Sequence, residues 1–316
     1  MVDIVAPHLP AITPPGGLIY APHGITLNVG GHAANASIDL AQLGQRGVTA
    51  TGCIGDDMLG RYIQETLRRA GVDPAPQVLA DTPTAKNISL TVEGEDRRFI
   101  AELAANTLLS PDHVIKLLGA HPRILFLGTV GGLRNIDGDL PRVLEAAHAS
   151  GTMTVVDVIP PTQPDWEHVK RALPHVDVLH LNATEARLAT GVKDPLEAAE
   201  TLRRRGANTI IVTSGSGGLT ALRGETRIRM PAFDVDEVDP TGAGDALCAG
   251  LIHSLLAHEN PKDVTPEGFM DALLEGQAAG AACVTSPGAT TAVTAPRVRR
   301  LIEEQGSRVR AATSTL

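Results

Sequence analysis

From about residue 120 onward, short apolar runs alternate with segments of helical period. Residues 124–127, 153–156, 178–181 and 209–213 are nearly continuous apolar stretches, and residues 140–148 and 195–205 between them carry helix-like spacing. Apolar runs without alternation predict strands buried on both faces, and helices between them predict crossovers of a mostly parallel sheet. Residues 266–283, rich in Ala, Leu and Gly, read as a long helix. The first third differs. Residues 84–102 alternate apolar and polar around Glu93-Gly94-Glu95-Asp96, which predicts a half-exposed hairpin with its turn in the acidic stretch. A second β-like piece, residues 19–27, precedes Gly30 and Gly31. Such strands do not fit a doubly wound core and are expected to form a small lid from two pieces, about 10–28 and 84–104. The chain shows no internal repeat, and residues 307–316 read as a frayed tail.

Composition narrows the class. Of 316 residues, 27 are Lys or Arg and 36 are Asp or Glu, giving a net charge of −9, and 43% are hydrophobic. That predicts a soluble globular α/β protein, and residues 1–316 are read as one domain. An acidic balance argues against nucleic-acid partners, and with aromatics at 2% base-stacking platforms are scarce as well. No apolar run approaches the ~20 residues of a membrane span. The start lacks the basic-then-apolar pattern of a secretory signal. Cys53, Cys248 and Cys283 form no CxxC pair and are expected to be buried thiols in a cytoplasmic protein. The 11 histidines show no HExxH or HxH spacing, so no metal cage is assigned.

The most informative stretch is Asp239-Pro240-Thr241-Gly242-Ala243-Gly244-Asp245, followed by a helical run to Leu256. Glycines where a helix begins leave free N–H groups and the positive end of the helix dipole converging on one spot, which is an anion site. Negative charge growing on a transferring phosphoryl group could lie there. A carboxylate just inside the helix, Asp245, could take the proton of an attacking hydroxyl. Taken alone, the same residues also fit a glycine turn with an ordinary acid at a helix N-terminus. No GxxxxGK[ST] loop occurs.

The full string resembles the C-terminal signature of the PfkB/ribokinase carbohydrate kinases, D-T-x-G-A-G-D, with Pro240 in place of the usual Thr. Further matches follow the family's order. Gly30-Gly31-His32-Ala33-Ala34-Asn35 is similar to its G-G-x-x-x-N motif, and residues 52–60 to its G-x-x-G-x-D-x-x-G. Ala105-Asn106 with Leu109-Ser110-Pro111 resembles the step from lid back to core. Asn182-Ala183-Thr184-Glu185 resembles the N-x-x-E motif, and residues 213–218 the nucleotide loop. The resemblance runs from about residue 3 to residue 296. It implies a ribokinase-like three-layer α/β/α core with a mostly parallel sheet and a small β-strand lid over the sugar.

The resemblance also implies roles. Asp245 is the catalytic base, and Gly242, Ala243 and Gly244 form the anion hole. Asp3, Gly30, Gly31, Asn35 and Asn106 bind substrate. Asn182, Glu185, Thr213, Ser214, Gly215 and Gly217 serve ATP, with Glu185 organising Mg²⁺ through water. Asp239 and Thr241 adjoin a monovalent cation, K⁺. Three departures stand out. The family's usual first core strand has no counterpart, since Asp3 lies at the very start. The D-x-N-x-R segment reads Asp157-Val158-Ile159-Pro160-Pro161, and Ser286 replaces the Arg of an R-x-G-A turn.

The expected activity is ATP-dependent phosphorylation of a hydroxymethyl group on a sugar. A nucleoside kinase on the same scaffold is the alternative, with Phe99 and Phe126 as base-stacking contributors, and a non-catalytic sugar-binding relic is the third reading. His32 could touch substrate or simply be exposed in a turn. Arg97 and Arg98 could face a charged substrate group or pair with the acidic turn beside them. Lid strands with free edges predict a homodimer.

Overall fold

A computed structural model of the chain describes residues 1–95, 98–161 and 165–315. Its largest element is a seven-stranded sheet in the order Ser314–Thr315, Thr226–Met230, Leu219–Arg223, Thr209–Thr213, Val178–Asn182, Met153–Val158, Ile124–Val130. The last four are the apolar runs, and they pair in parallel. The first three are joined antiparallel to that core. Met153–Val158 is buried at every position, which is why its sequence shows no alternation.

Successive side chains on these strands feed two separate cores. Val155 and Ile211 pack with the helices His32–Leu43, Ala243–Leu256, Pro266–Cys283 and Ala295–Ala312. Val156, Leu179, Leu181, Ile210 and Val212 pack with Pro111–Leu118, Leu140–Ala149, Ala183–Thr190 and Pro195–Arg203 on the other face. Helices on both faces of the sheet make the expected three layers.

The lid is a four-stranded sheet in the order Thr26–Val29, Val2–Leu9, Lys86–Val92, Arg98–Glu102. The hairpin read from residues 84–102 is there; Asp96 and Arg97 of its turn lie outside the described residues. The other lid piece is corrected. Residues 19–27 contribute strand only from Thr26, and the lid's inner strand is Val2–Leu9. Among the described residues no strand before Ile124 joins the seven-stranded sheet. Two short parallel pairs stand apart: Thr49–Ala50 with Asp73–Pro74, and Cys53–Gly55 with Gln77–Leu79.

The frayed tail is also corrected. The last helix continues to Ala312 with Val309 fully buried, and Ser314–Thr315 then pairs with the sheet edge through Arg229 and Ile228. A polar tail that buries one valine and pairs two residues with the sheet edge is held, whatever its composition. All three cysteines are buried and free. Among the described residues no helix is long and apolar enough to cross a membrane.

Candidate active site

Three parallel strands end on side chains that meet above the C-terminal edge of the sheet: Asp157, His180 with Asn182, and Thr213. Ligands of open α/β sheets collect at that edge. The helix Ala243–Leu256 brings its first turn to the same place. Gly242, its N-cap, has φ +84°, and an added methyl there would stand 2.8 Å from the Ala289 Cα, so only glycine lets this loop lie against residues 287–289.

Asp245, in the first turn, is buried. Its Oδ2 accepts a 2.8 Å hydrogen bond from Asn35 Nδ2, on the neighbouring helix His32–Leu43. Its Oδ1 is buried without a hydrogen bond and lies 3.5 Å from His32 Nδ1. The same Nδ1 is 3.2 Å from Asp157 Oδ2, while Asp157 Oδ1 is 3.0 Å from His180 Nδ1. His180 Nε2 reaches Thr213 Oγ1 at 3.2 Å. A continuous polar chain therefore runs from Asn35 through Asp245, His32, Asp157 and His180 to Thr213.

Burial alone would lower the His32 pKa, but Asp245 and Asp157 outweigh it and lift it to about 10. Burial likewise works against a charged His180, and Asp157 raises it nonetheless. Asp157 would be raised by burial, yet His180 and His32 hold it well below the usual carboxylate range. Asp245 sits above its ordinary value because burial dominates, opposed by the His32 charge. One helical turn beyond Asn35, Asp39 is fully buried with neither carboxyl oxygen bonded, and burial followed by repulsion from Asp245 pushes it up to about 9. It is a protonated acid at neutral pH.

The predicted nucleotide residues divide. Thr213 and Gly215 line a cavity of about 170 Å³ together with Ala243 and Gly244, so the glycine-rich helix mouth and the loop after Thr209–Thr213 share one space. Ser214 and Gly217 shape that loop: Ser214 N–H donates to the Gly218 carbonyl, and Gly217 N–H to that of Ser214. Asn182 and Glu185 form a reciprocal capping box, Asn182 Oδ1 accepting from Glu185 N–H and Glu185 Oε2 from Asn182 N–H. Burial, offset in part by that bond and reinforced by Asp157, raises the Glu185 pKa.

Asp239 ties the loop to residues 287–289 by accepting from Thr241 and Gly288 N–H groups. The Cys283 thiol donates to the carbonyls of Thr241 and Ala289, which converge on one sulfur.

On the lid side, Asp3 lies against Gly30, where a Cβ would collide with its carboxylate, and accepts from Asn87 Nδ2 at 3.3 Å. Burial raises the Asp3 pKa against that bond. Gly30, Gly31, His32 and Asn106 line another cavity. Among the expected alternatives, Arg98 pairs with Glu95 in the acidic turn. Phe126 packs against the hydrophobic core and also lines this cavity, half-buried. The Phe99 side chain lies outside the described residues.

His32 opens its helix and is three-quarters covered, not a turn-exposed residue. No site role was expected for Asp39, Asn87 or His180, and Asp157 entered only as the first residue of the altered D-x-N-x-R segment. His180 had a signal, being a polar residue two before Asn182 inside an apolar strand. The fold gathers His32, Asp157 and Asp245 so that one ligand atom of each lies within 4.8 Å of the others, a grouping that sequence spacing could not show. As it stands, charge pairing between the imidazoles and carboxylates accounts for that cluster.

Comparison with known proteins decides the family. Residues 2–296 match the profile of the pfkB family carbohydrate kinases. The chain belongs to this family. An aminoimidazole riboside kinase of Salmonella typhimurium is 29% identical over 281 residues, covering 84% of this chain and 85% of its own. A ribokinase of Haemophilus influenzae is 25% identical over 295 residues, 90% of both chains. Among solved structures, the aminoimidazole riboside kinase of Salmonella enterica, complexed with aminoimidazole riboside and an ATP analogue, superposes with a TM-score of 0.76 at 24% identity, covering 95% of this chain and 96% of that one. This pfkB-family protein is thus an ATP-dependent carbohydrate kinase with the ribokinase fold.

Proposed function

We propose that this kinase phosphorylates a hydroxymethyl group of a free sugar, with Asp245 as the base. One observation carries the reading: a buried carboxylate, raised in basicity and with one oxygen unbonded, stands a single residue from the helix mouth that opens on the nucleotide cavity. In that position Asp245 Oδ1 would accept the hydroxyl proton as the oxygen attacks the γ-phosphorus of ATP, whose bond to the β,γ-bridging oxygen breaks to release ADP. The N–H groups of Gly242, Ala243 and Gly244 stabilise charge developing on the transferred group, a reaction catalysed mainly by positioning. Asn35 fixes the carboxylate through Oδ2. Its own Oδ1, like that of Asn87, is a buried acceptor without a partner, and sugar hydroxyls are the donors both lack. Asp3, Gly30, Gly31 and Asn106 complete the substrate side.

The donor set fits Mg²⁺. Carboxylate oxygens of Asp245 and Asp157 lie close together, Glu185 is near enough to feel the Asp157 charge, and Glu185 has only Oε2 committed to its cap, which suits contact through water. Mg²⁺ with ATP supplies charge neutralisation of the phosphates. Glu185 and Asn182 orient its water shell, and Thr213 and Gly215 receive the nucleotide. Asp239 and Thr241 support a K⁺ beside the anion hole, where two carbonyls already converge.

The test is a phosphorylation assay with ATP and Mg²⁺ over free sugars and nucleosides, with and without K⁺, on wild type and Asp245→Asn. A sugar turned over faster than any nucleoside, a K⁺ stimulation, and a loss of about 10³-fold in kcat with folding intact are expected. Retained turnover in Asp245→Asn removes the base.

A further inference from the structure

The helix His32–Leu43 carries a second buried acid that the phosphoryl transfer does not use. Asp39 is fully buried, and neither of its carboxyl oxygens has a hydrogen-bond partner. Its helix packs against Ala243–Leu256, whose Ala246 and Leu247 join Leu40 and Leu43 in one apolar core. Burial and the Asp245 charge both favour its protonated form, and among the described residues no cation opposes them. The other titratable group facing it is the Cys283 thiol, at the end of Pro266–Cys283, which burial first and Asp39 next push up to about 12. A carboxyl in that setting keeps its proton, and a neutral acid can donate a hydrogen bond as well as accept one.

The acceptor that fits this donor stands four residues earlier. Side chains at i and i+4 share one helix face and lean toward the N-terminus, so Asp39 leans back over Asn35. Cβ atoms at that spacing are about 5–6 Å apart, a gap that a carboxyl O–H closes directly or through one water. Asn35 is buried as well, with Nδ2 given to Asp245 Oδ2 at 2.8 Å and Oδ1 without a partner. An amide oxygen has two lone pairs, so a sugar hydroxyl can take one and Asp39 the other.

We propose that Asp39 is a positioning residue for the catalytic base: as a neutral acid it donates to Asn35 Oδ1 and thereby fixes the amide with Nδ2 toward Asp245 Oδ2. This role presupposes Asp245 as the base. The two ends of an amide are nearly equal in shape, so only hydrogen bonds decide which way it faces. A donor on the Oδ1 side leaves one arrangement. An ionised Asp39 would be a second acceptor, competing with Asp245 for the same NH2 group. Asp39 keeps its proton throughout turnover.

Two substitutions separate the donor from the shape. Asp39→Asn keeps a donor and cannot ionise, whereas Asp39→Val removes the donor. At neutral pH, kcat should stay within about 2-fold of wild type in Asp39→Asn and fall about 10-fold in Asp39→Val, the worth of one hydrogen bond, with the KM for ATP unchanged in both. Wild-type kcat should decline as Asp39 ionises near pH 9, a limb that Asp39→Asn lacks. The side-chain ¹⁵N–H signals of Asn35 give a readout that needs no turnover. They should move as the pH passes through about 9 in wild type and hold still there in Asp39→Asn. Folded Asp39→Val with wild-type kcat overturns the proposal, since the Asp39 proton then rests on a backbone carbonyl. Asn35 signals that move alike in wild type and Asp39→Asn overturn it too, even if Asp39→Val does not fold. Should Asp245→Asn retain turnover, the base assignment falls, while the Asn35 signals still report whether Asp39 holds the amide.

Discussion

Two buried acids close to Asn35 have opposite duties. Asp245 must ionise to act, and His32 is the nearest cation that favours its ionised form. His32→Gln removes that charge, so the Asp245 pKa rises further. The acidic limb of the kcat/KM profile should then move to higher pH, with the fold retained because Gln fills similar space. An unmoved limb would mean that His32 merely fills the site. Asp39 illustrates the other case. Its carboxyl ionises near 3.8 in an unfolded chain but stays protonated to about 9 when folded. Between those values the folded state holds the extra proton, so stability falls as pH rises through that window. Asp39→Asn lacks the effect. It should match wild type near pH 4 and exceed it by roughly 2–4 kcal/mol near pH 8 in denaturant unfolding. A variant less stable at both pH values would show that Asp39 has a partner when ligands are bound.

At the scale of elements, what could be read from the sequence was what local chemistry dictates. The buried strands announced themselves because both faces are apolar, and Pro266–Cys283 because proline at its start and a small-residue face mark a packed helix. The helix mouth at Gly242 was legible for the same reason: positive φ and close approach leave few residue choices. The lid's inner strand was not. Val2–Leu9 carries a polar Asp3 and a His8, and only pairing with both neighbours in the lid makes it a strand. That Asp157 and His180 meet was not legible either, since their contact depends on strand register rather than on sequence separation. The Gly242 requirement is testable as an element property. Gly242→Ala forces a positive φ on a residue with a Cβ and drives that carbon into Ala289, so the loop must shift away from the nucleotide cavity. A cost of about 1–3 kcal/mol in stability is expected, together with a KM for ATP raised at least ~10-fold, a shift of ~1.4 kcal/mol in binding. Unchanged ATP kinetics would show that the backbone here does not define the anion hole.

At the scale of the whole molecule, the lid is what the fold leaves unfinished. Its sheet has two open edges, Thr26–Val29 and Arg98–Glu102. Ile25, Leu27 and Ile100 are exposed at or beside those edges, Ile100 by 62%. An isolated edge with apolar side chains invites pairing, and a two-fold partner is the simplest way to cover it in a homo-oligomer. A homodimer formed lid to lid would hold the strands that carry Asp3 and Asn87 over the site, so assembly and substrate affinity should be linked. Light scattering at micromolar concentration should give twice the 33.0 kDa chain mass. Ile100→Lys places a charge on the edge strand, away from the residues assigned to catalysis. It should yield a folded monomer with the same melting transition in its core, a raised KM for the sugar and a KM for ATP close to wild type. A monomeric wild type at high concentration would remove the dimer. A monomeric variant with an unaltered sugar KM would keep the dimer but separate it from substrate capture, leaving each lid to close on its own.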